Sequence, residues 1–129
     1  MRSKAMPRCE SCHGTIGLLA KKFTGYSGEP LCRVCALRQQ RHKLAERLEY
    51  CLKAVAAYPD RIEPLRDSEK DMHLAEGLLA SDHPFSAGSA KEIERIEHRY
   101  RNTPPGELMH QKPAIIESCK SLVERLKRS

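Results

Sequence analysis

Two Cys-x2-Cys pairs, Cys9-Glu10-Ser11-Cys12 and Cys32-Arg33-Val34-Cys35, stand 19 residues apart near the start of the chain. Within such a pair the two sulfurs can turn toward one ion from a tight knuckle, and two pairs close a tetrahedron of thiolates around zinc. Cys9, Cys12, Cys32 and Cys35 are therefore the expected ligands of a structural Zn2+. Four thiolates leave no open position for water, so a catalytic metal is not expected. Metal binding also bears on folding. Only 25 of the 129 residues are Leu, Ile, Val or Phe, close to the level at which chains fail to bury a core. A structural zinc supplies roughly 10–16 kcal/mol in small fingers, which offsets that shortage.

The segment between the pairs indicates the kind of finger. Residues Thr15 to Phe23 are apolar and then basic, Thr24-Gly25-Tyr26-Ser27-Gly28 is rich in turn formers, and Glu29-Pro30-Leu31 leads back to the second pair. From Cys32 no Gly or Pro occurs until Pro59, and Leu37, Leu44, Leu48, Cys51 and Val55 recur at helical spacing. The last two ligands thus fall in the first turn of a helix. Knuckle, hairpin and ligand-bearing helix make a treble clef.

These residues resemble known fingers. The run Cys9-x2-Cys12, then Gly28-Glu29-Pro30-Leu31-Cys32-x2-Cys35-Ala36-Leu37, is similar to GATA-type fingers and also to the four-cysteine finger of the DksA/TraR regulators of RNA polymerase. The likeness covers residues 7–40. It differs from the GATA type in having no Trp in the hairpin, and from the DksA/TraR type in placing the finger first. Only the four ligands carry over. The resemblance implies a regulator whose partner is nucleic acid or, by the DksA/TraR likeness, RNA polymerase.

The expected fold is mainly α: a treble-clef finger with a β-hairpin, then a long helix and a helical bundle. The finger and its basic tail take residues 1–42 and the helical region 43–129, with helices near 32–57, 67–80, 90–101 and 113–127. Leu37, Leu44, Cys51 and Tyr58 repeat every seven residues. That stripe either packs on the other helices or supports a homodimeric coiled coil. Ser81 to Ser89 could join two helices of a helix-turn-helix, although the helix from Ala90 to Arg101 carries as many acidic as basic groups. Asn102 to Gly106 reads as a linker, after which Ile115, Cys119, Leu122 and Leu126 form the cleanest stripe. Cys51 and Cys119 lie on apolar stripes as buried thiols. His13 is weighed as a donor to a ligand sulfur against having no role. No triad, phosphate loop or carboxylate pair suggests an enzyme.

The formal charge is +6. Residues 1–50 hold ten basic and four acidic groups, while residues 51–129 hold 13 of each. The excess therefore belongs to the finger and its helix. Lys21, Lys22, Arg33, Arg38, Arg41 and Lys43 are the expected phosphate contacts on nucleic acid, most simply duplex DNA, and six such contacts give a log–log salt slope of about −5. Few aromatic residues argue against a reader of unpaired bases. The second reading is a protein-interaction module in which zinc is purely structural. The longest uncharged apolar run, Ile16 to Ala20, is far too short to cross a bilayer. With a basic start, no secretory leader and paired cysteines, the expected compartment is the cytoplasm, or the nucleus in a eukaryote.

Overall fold

A computed structural model describes residues 8–14, 16, 23–81, 83–85 and 90–129. The protein is mainly helical. Two short strands, β1 (Phe23–Thr24) and β2 (Pro30–Leu31), precede four helices: α1 (Arg33–Ala57), α2 (Glu63–Ala80), α3 (Ala90–Arg101) and α4 (Pro105–Arg128). The strands pair antiparallel, Phe23 opposite Leu31 and Thr24 opposite Pro30, so the expected hairpin is present. Among the described residues no helix is long and apolar enough to cross a membrane.

α1 has 25 residues and is about 38 Å long at 1.5 Å per residue. Cys32 precedes it in extended conformation and its carbonyl accepts the Ala36 N–H at 2.9 Å. Pro59 stops it by pushing Tyr58 out of helical geometry, to φ −127° and ψ 67°. Its buried side chains fall into two groups. Cys35 and Ala36 face the finger, and Leu44, Leu48 and Val55 face the bundle.

Two proline-containing helices begin earlier than the sequence suggested. α2 starts at Glu63 rather than near 67, because Pro64 occupies the first turn, where its missing N–H has no intrahelical role. α4 starts at Pro105 rather than at Pro113 for the same reason, which shortens the expected linker. Pro113 then lies inside α4. It is exposed, so water can reach the carbonyl that its absent N–H leaves unbonded. The early start brings Leu108 into the core one heptad before Ile115.

α1, α2 and α4 pack on one another, and α3 packs on α2. The central core joins Leu44 and Leu48 of α1, Leu74 and Leu78 of α2, and Leu122 and Leu126 of α4. Leu37, Leu44 and Cys51 of the heptad stripe are buried within the chain, whereas Tyr58 is exposed. α3 contributes half-buried Ile93 and Ile96, and its charged side chains Glu92, Glu94, Arg95 and Arg99 are exposed.

One turn of α1 ties the elements together. Gln39 bonds the hairpin, donating to Glu29 Oε1 at 3.1 Å and accepting the Tyr26 N–H at 3.2 Å. Gln40 donates to the Phe85 carbonyl at 2.8 Å and accepts the Phe85 N–H at 2.6 Å. Arg41 donates to the Leu78 carbonyl from Nε at 3.1 Å and from Nη2 at 2.8 Å, and to the Ser81 carbonyl at 3.2 Å.

Candidate metal centre

The first cysteine pair is held by backbone hydrogen bonds. Cys9 N–H donates to the Gly14 carbonyl at 2.8 Å and His13 N–H to the Cys9 carbonyl at 2.9 Å, which closes the knuckle. Glu10 N–H reaches the Pro30 carbonyl at 2.9 Å and fixes the knuckle to β2. His13 carries the turn at φ 59°, in the left-handed region that favours glycine. Its side chain is exposed and bonds no sulfur among the described residues. At Gly14 a Cβ would stand 3.3 Å from Cys12 Sγ, so a small residue suits this position.

The second pair comes from β2 and α1. Cys32 is the residue before α1 and Cys35 lies in its first turn. The hairpin that presents Cys32 closes through Gly25 N–H to the Glu29 carbonyl at 2.8 Å and Gly28 N–H to the Gly25 carbonyl at 3.0 Å, with Gly28 at φ 81°. Glu29 stiffens the tip by accepting the Ser27 N–H at 3.0 Å as well as the Gln39 amide. A Cβ on Gly25 would overlap the Glu29 carboxylate. Beneath the knuckle, Ile16, Phe23, Leu31 and Ala36 form a small apolar cluster separate from the bundle core.

The four sulfurs all lie within 4.8 Å of one another, and Cys12 Sγ is 3.9 Å from Cys32 Sγ. All six cysteines are free thiols. Sulfurs at the corners of a tetrahedron, each 2.3 Å from zinc, are about 3.8 Å apart. Cys9, Cys12, Cys32 and Cys35 are thus positioned to bind one metal ion. Cys9 and Cys35 are buried, Cys32 is half-buried and Cys12 is exposed.

The thiol acidities agree with that use. Burial opposes ionisation of Cys9, but the N–H groups of Cys12, Cys32 and Ser11 outweigh it and hold its pKa below the ordinary value. Cys35 is pushed up, first by burial and then by the neighbouring Cys32, Cys9 and Cys12 side chains. The opposite directions of the two shifts reflect thiols close enough to titrate as a group, and a bound cation would favour their shared ionisation.

Of the six basic residues suggested by sequence, the four that are described sit in different settings. Lys21 and Lys22 lie outside the described residues. Arg33 and Arg38 are exposed, but five residues along a helix place them about 140° apart around α1. Arg41 is half-buried with its guanidinium on the last turn of α2. Lys43 is exposed, 3.6 Å from Glu46 and 6.0 Å from the centre of the Tyr26 ring.

No protein-family model, curated protein or solved structure matches this chain.

Two contributions to the site escaped the sequence reading: the Glu29–Gln39 clamp and the cap made by Arg41. Charge and turn propensity mark Glu29 and Arg41 as polar, and they carry no signal for which distant backbone group each one meets.

Proposed function

We propose that the four cysteines hold a structural zinc ion and that the protein is a non-catalytic binding module whose finger and first helix meet a protein partner. The observation that carries this reading is the placement of the basic set: Arg41 caps α2, and Arg33 and Arg38 stand about 140° apart around α1. What remains exposed around the finger is a mixture of apolar and cationic groups. Val34, between Arg33 and Arg38 on α1, is 58% exposed, and Tyr26, beside Gln39 and Lys43, is 64% exposed. Aromatic residues and arginine are the types enriched where proteins meet. A closed thiolate site without a water position supports a structural task for the metal.

Duplex DNA remains the second reading because the whole charge excess lies in residues 1–50. With Arg41 withdrawn, Lys21, Lys22, Arg33, Arg38 and Lys43 give at most five phosphate contacts and a slope of about −4.5.

Metal analysis and hydrogen exchange, followed by a duplex-DNA shift assay, test both parts. We expect one zinc per chain, and chelation should remove amide protection from residues 23–36 while α2 and α4 keep theirs. A metal-free chain with unchanged protection rejects the structural zinc. DNA retention with a slope of about −4.5, lost on replacing Arg33 and Arg38 by Glu, rejects the protein-partner reading in favour of DNA. Loss of partner capture in Val34→Asp with fold and zinc intact supports it.

A further inference from the structure

The end of the bundle away from the finger contains a buried acid that the zinc module does not use. α2, α3 and α4 meet around a cleft of 580 Å³, within the range of small-molecule sites. Glu69 of α2 lines it and is only 7% exposed. A carboxylate at this depth ordinarily has a cation or several donors beside it. Among the described residues Glu69 has neither a hydrogen bond nor an ion pair, and its carboxylate oxygens are open to the cleft rather than sealed in the core.

The nearby cations do not pair with Glu69, although the charges of Arg99, which also lines the cleft, and of Arg66 partly offset the burial of its carboxylate. Arg66 directs Nη1 to the carbonyls of Tyr100 at 3.0 Å and Arg101 at 2.6 Å, capping the end of α3. The exposed Arg99 lies 5.5 Å from the centre of the Tyr100 ring. The Tyr100 hydroxyl is also occupied, 2.9 Å from His73 Nδ1. Across the cleft stands a second acid, Glu107 of α4, whose charge adds to burial in raising the Glu69 pKa. Met72 and Ile115 provide an apolar wall.

We propose that this cleft binds a small organic molecule through a primary ammonium group, with Glu69 as its main anchor, Glu107 as a second acceptor and Met72 and Ile115 against its apolar body. A single positive charge between two carboxyls relieves the buried acid and the repulsion between the pair together. An anion would face two carboxylates against one guanidinium. A metal ion fits less well, since the only group of three or more His, Cys, Asp or Glu side chains at metal-binding distance among the described residues is the four-cysteine site. The chain as a whole carries +6, so attraction of an amine must be local to this cleft and not a general property of the surface.

The test uses the full-length, metal-loaded protein at neutral pH, with methyl-labelled Met and Ile, titrated separately with pentylamine, pentanol and pentanoate. Pentylamine is expected to shift the Met72 and Ile115 methyl signals saturably, while pentanol and pentanoate leave them in place. Glu69→Gln should weaken the amine by about tenfold or more, the loss of a charge-assisted contact. Glu107→Gln, an exposed position where folding is not at stake, should weaken it less. The proposal is overturned if pentanol shifts the same signals as strongly, if Glu69→Gln and Glu107→Gln both leave amine affinity unchanged, or if tens of millimolar pentylamine moves neither methyl.

Discussion

Replacing Arg41 by Met separates a helix cap from a phosphate contact. Met retains most of the apolar stem and removes the guanidinium, so packing against α2 is largely kept. Lost are three hydrogen bonds to two acceptors, the Leu78 carbonyl from Nε and Nη2 and the Ser81 carbonyl from Nη2. The last carbonyls of a helix have no intrahelical donor. Ser81 N–H serves the Gly77 carbonyl, and Arg41 serves the next one. Hydrogen bonds to a charged group contribute about 1.5–3 kcal/mol and a cation at a helix C-terminus about 0.3–1 kcal/mol. Because Arg41 is only half-buried, water can partly replace the donors, and a net loss of about 2 kcal/mol is expected at the lower part of that range. With an m-value of about 2 kcal/mol/M, the urea midpoint of the metal-loaded protein should fall by about 1 M. Arg38→Met is the control, since Arg38 is exposed and makes no ion pair or hydrogen bond among the described residues; it should change stability by less than about 0.5 kcal/mol. Arg41→Lys should fall between, because an ammonium keeps the charge but lacks the fork that reaches both carbonyls. Equal midpoints for Arg41→Met and Arg38→Met would refute the capping role. A drop in DNA retention at unchanged stability would return Arg41 to the phosphate-facing surface.

Two further outcomes follow from single residues. His13→Gly should strengthen the finger by about 0.5–1 kcal/mol, because His13 holds a left-handed conformation that only glycine adopts without a steric penalty. Slower zinc loss to a competing chelator reads this, and faster loss contradicts it. Glu69 makes stability depend on pH. Burial first, then the Glu107 charge, raises its pKa above 4.5, so the folded state holds this proton more tightly than the unfolded chain. The stability it lends is complete below the unfolded value and is lost as pH rises through the folded one. The stability of Glu69→Gln relative to the parent should therefore grow with pH above about 4.5 and then level off, in a comparison that cancels the shared thiolate titration. A difference independent of pH would show that Glu69 titrates normally.

The cysteine spacing made the metal centre legible because ligand geometry is local: a Cys-x2-Cys pair dictates a knuckle whatever surrounds it. The stripe of Ile115, Cys119, Leu122 and Leu126 was legible for a similar reason, and all four are buried. Helix starts were harder. Pro64 and Pro105 are breakers in a helix interior and good first-turn residues, and sequence alone does not say on which side of a proline the chain becomes helical. Pro113 misled most, since the one backbone bond it removes lies on an exposed face. Charge was least legible. Arg41 and Arg38 are alike in composition, yet three positions of helix place one over the end of α2 and leave the other in water. Glu69 is one more acid in a charged segment until α3 and α4 close over it.

Those three positions also explain how the finger is connected to the bundle. The two apolar clusters are separate, so a metal-driven change in the finger has no continuous core through which to act on α2. What spans them is α1, and within it Gln39, Gln40 and Arg41, which reach the hairpin, the segment after α2 and the end of α2 in turn. Hydrogen bonds of this kind are directional and lose most of their strength when misaligned. If loss of a metal loosened the finger and freed Glu29 from Gln39, Gln40 and Arg41 would still hold α1 against α2. The bundle should therefore remain folded without the finger, while the hairpin depends on both the metal and α1 for its position. A partner contacting both the hairpin and the start of α1 would therefore be expected to bind more weakly once the metal is removed, because the Gln39 contacts alone then hold the two together.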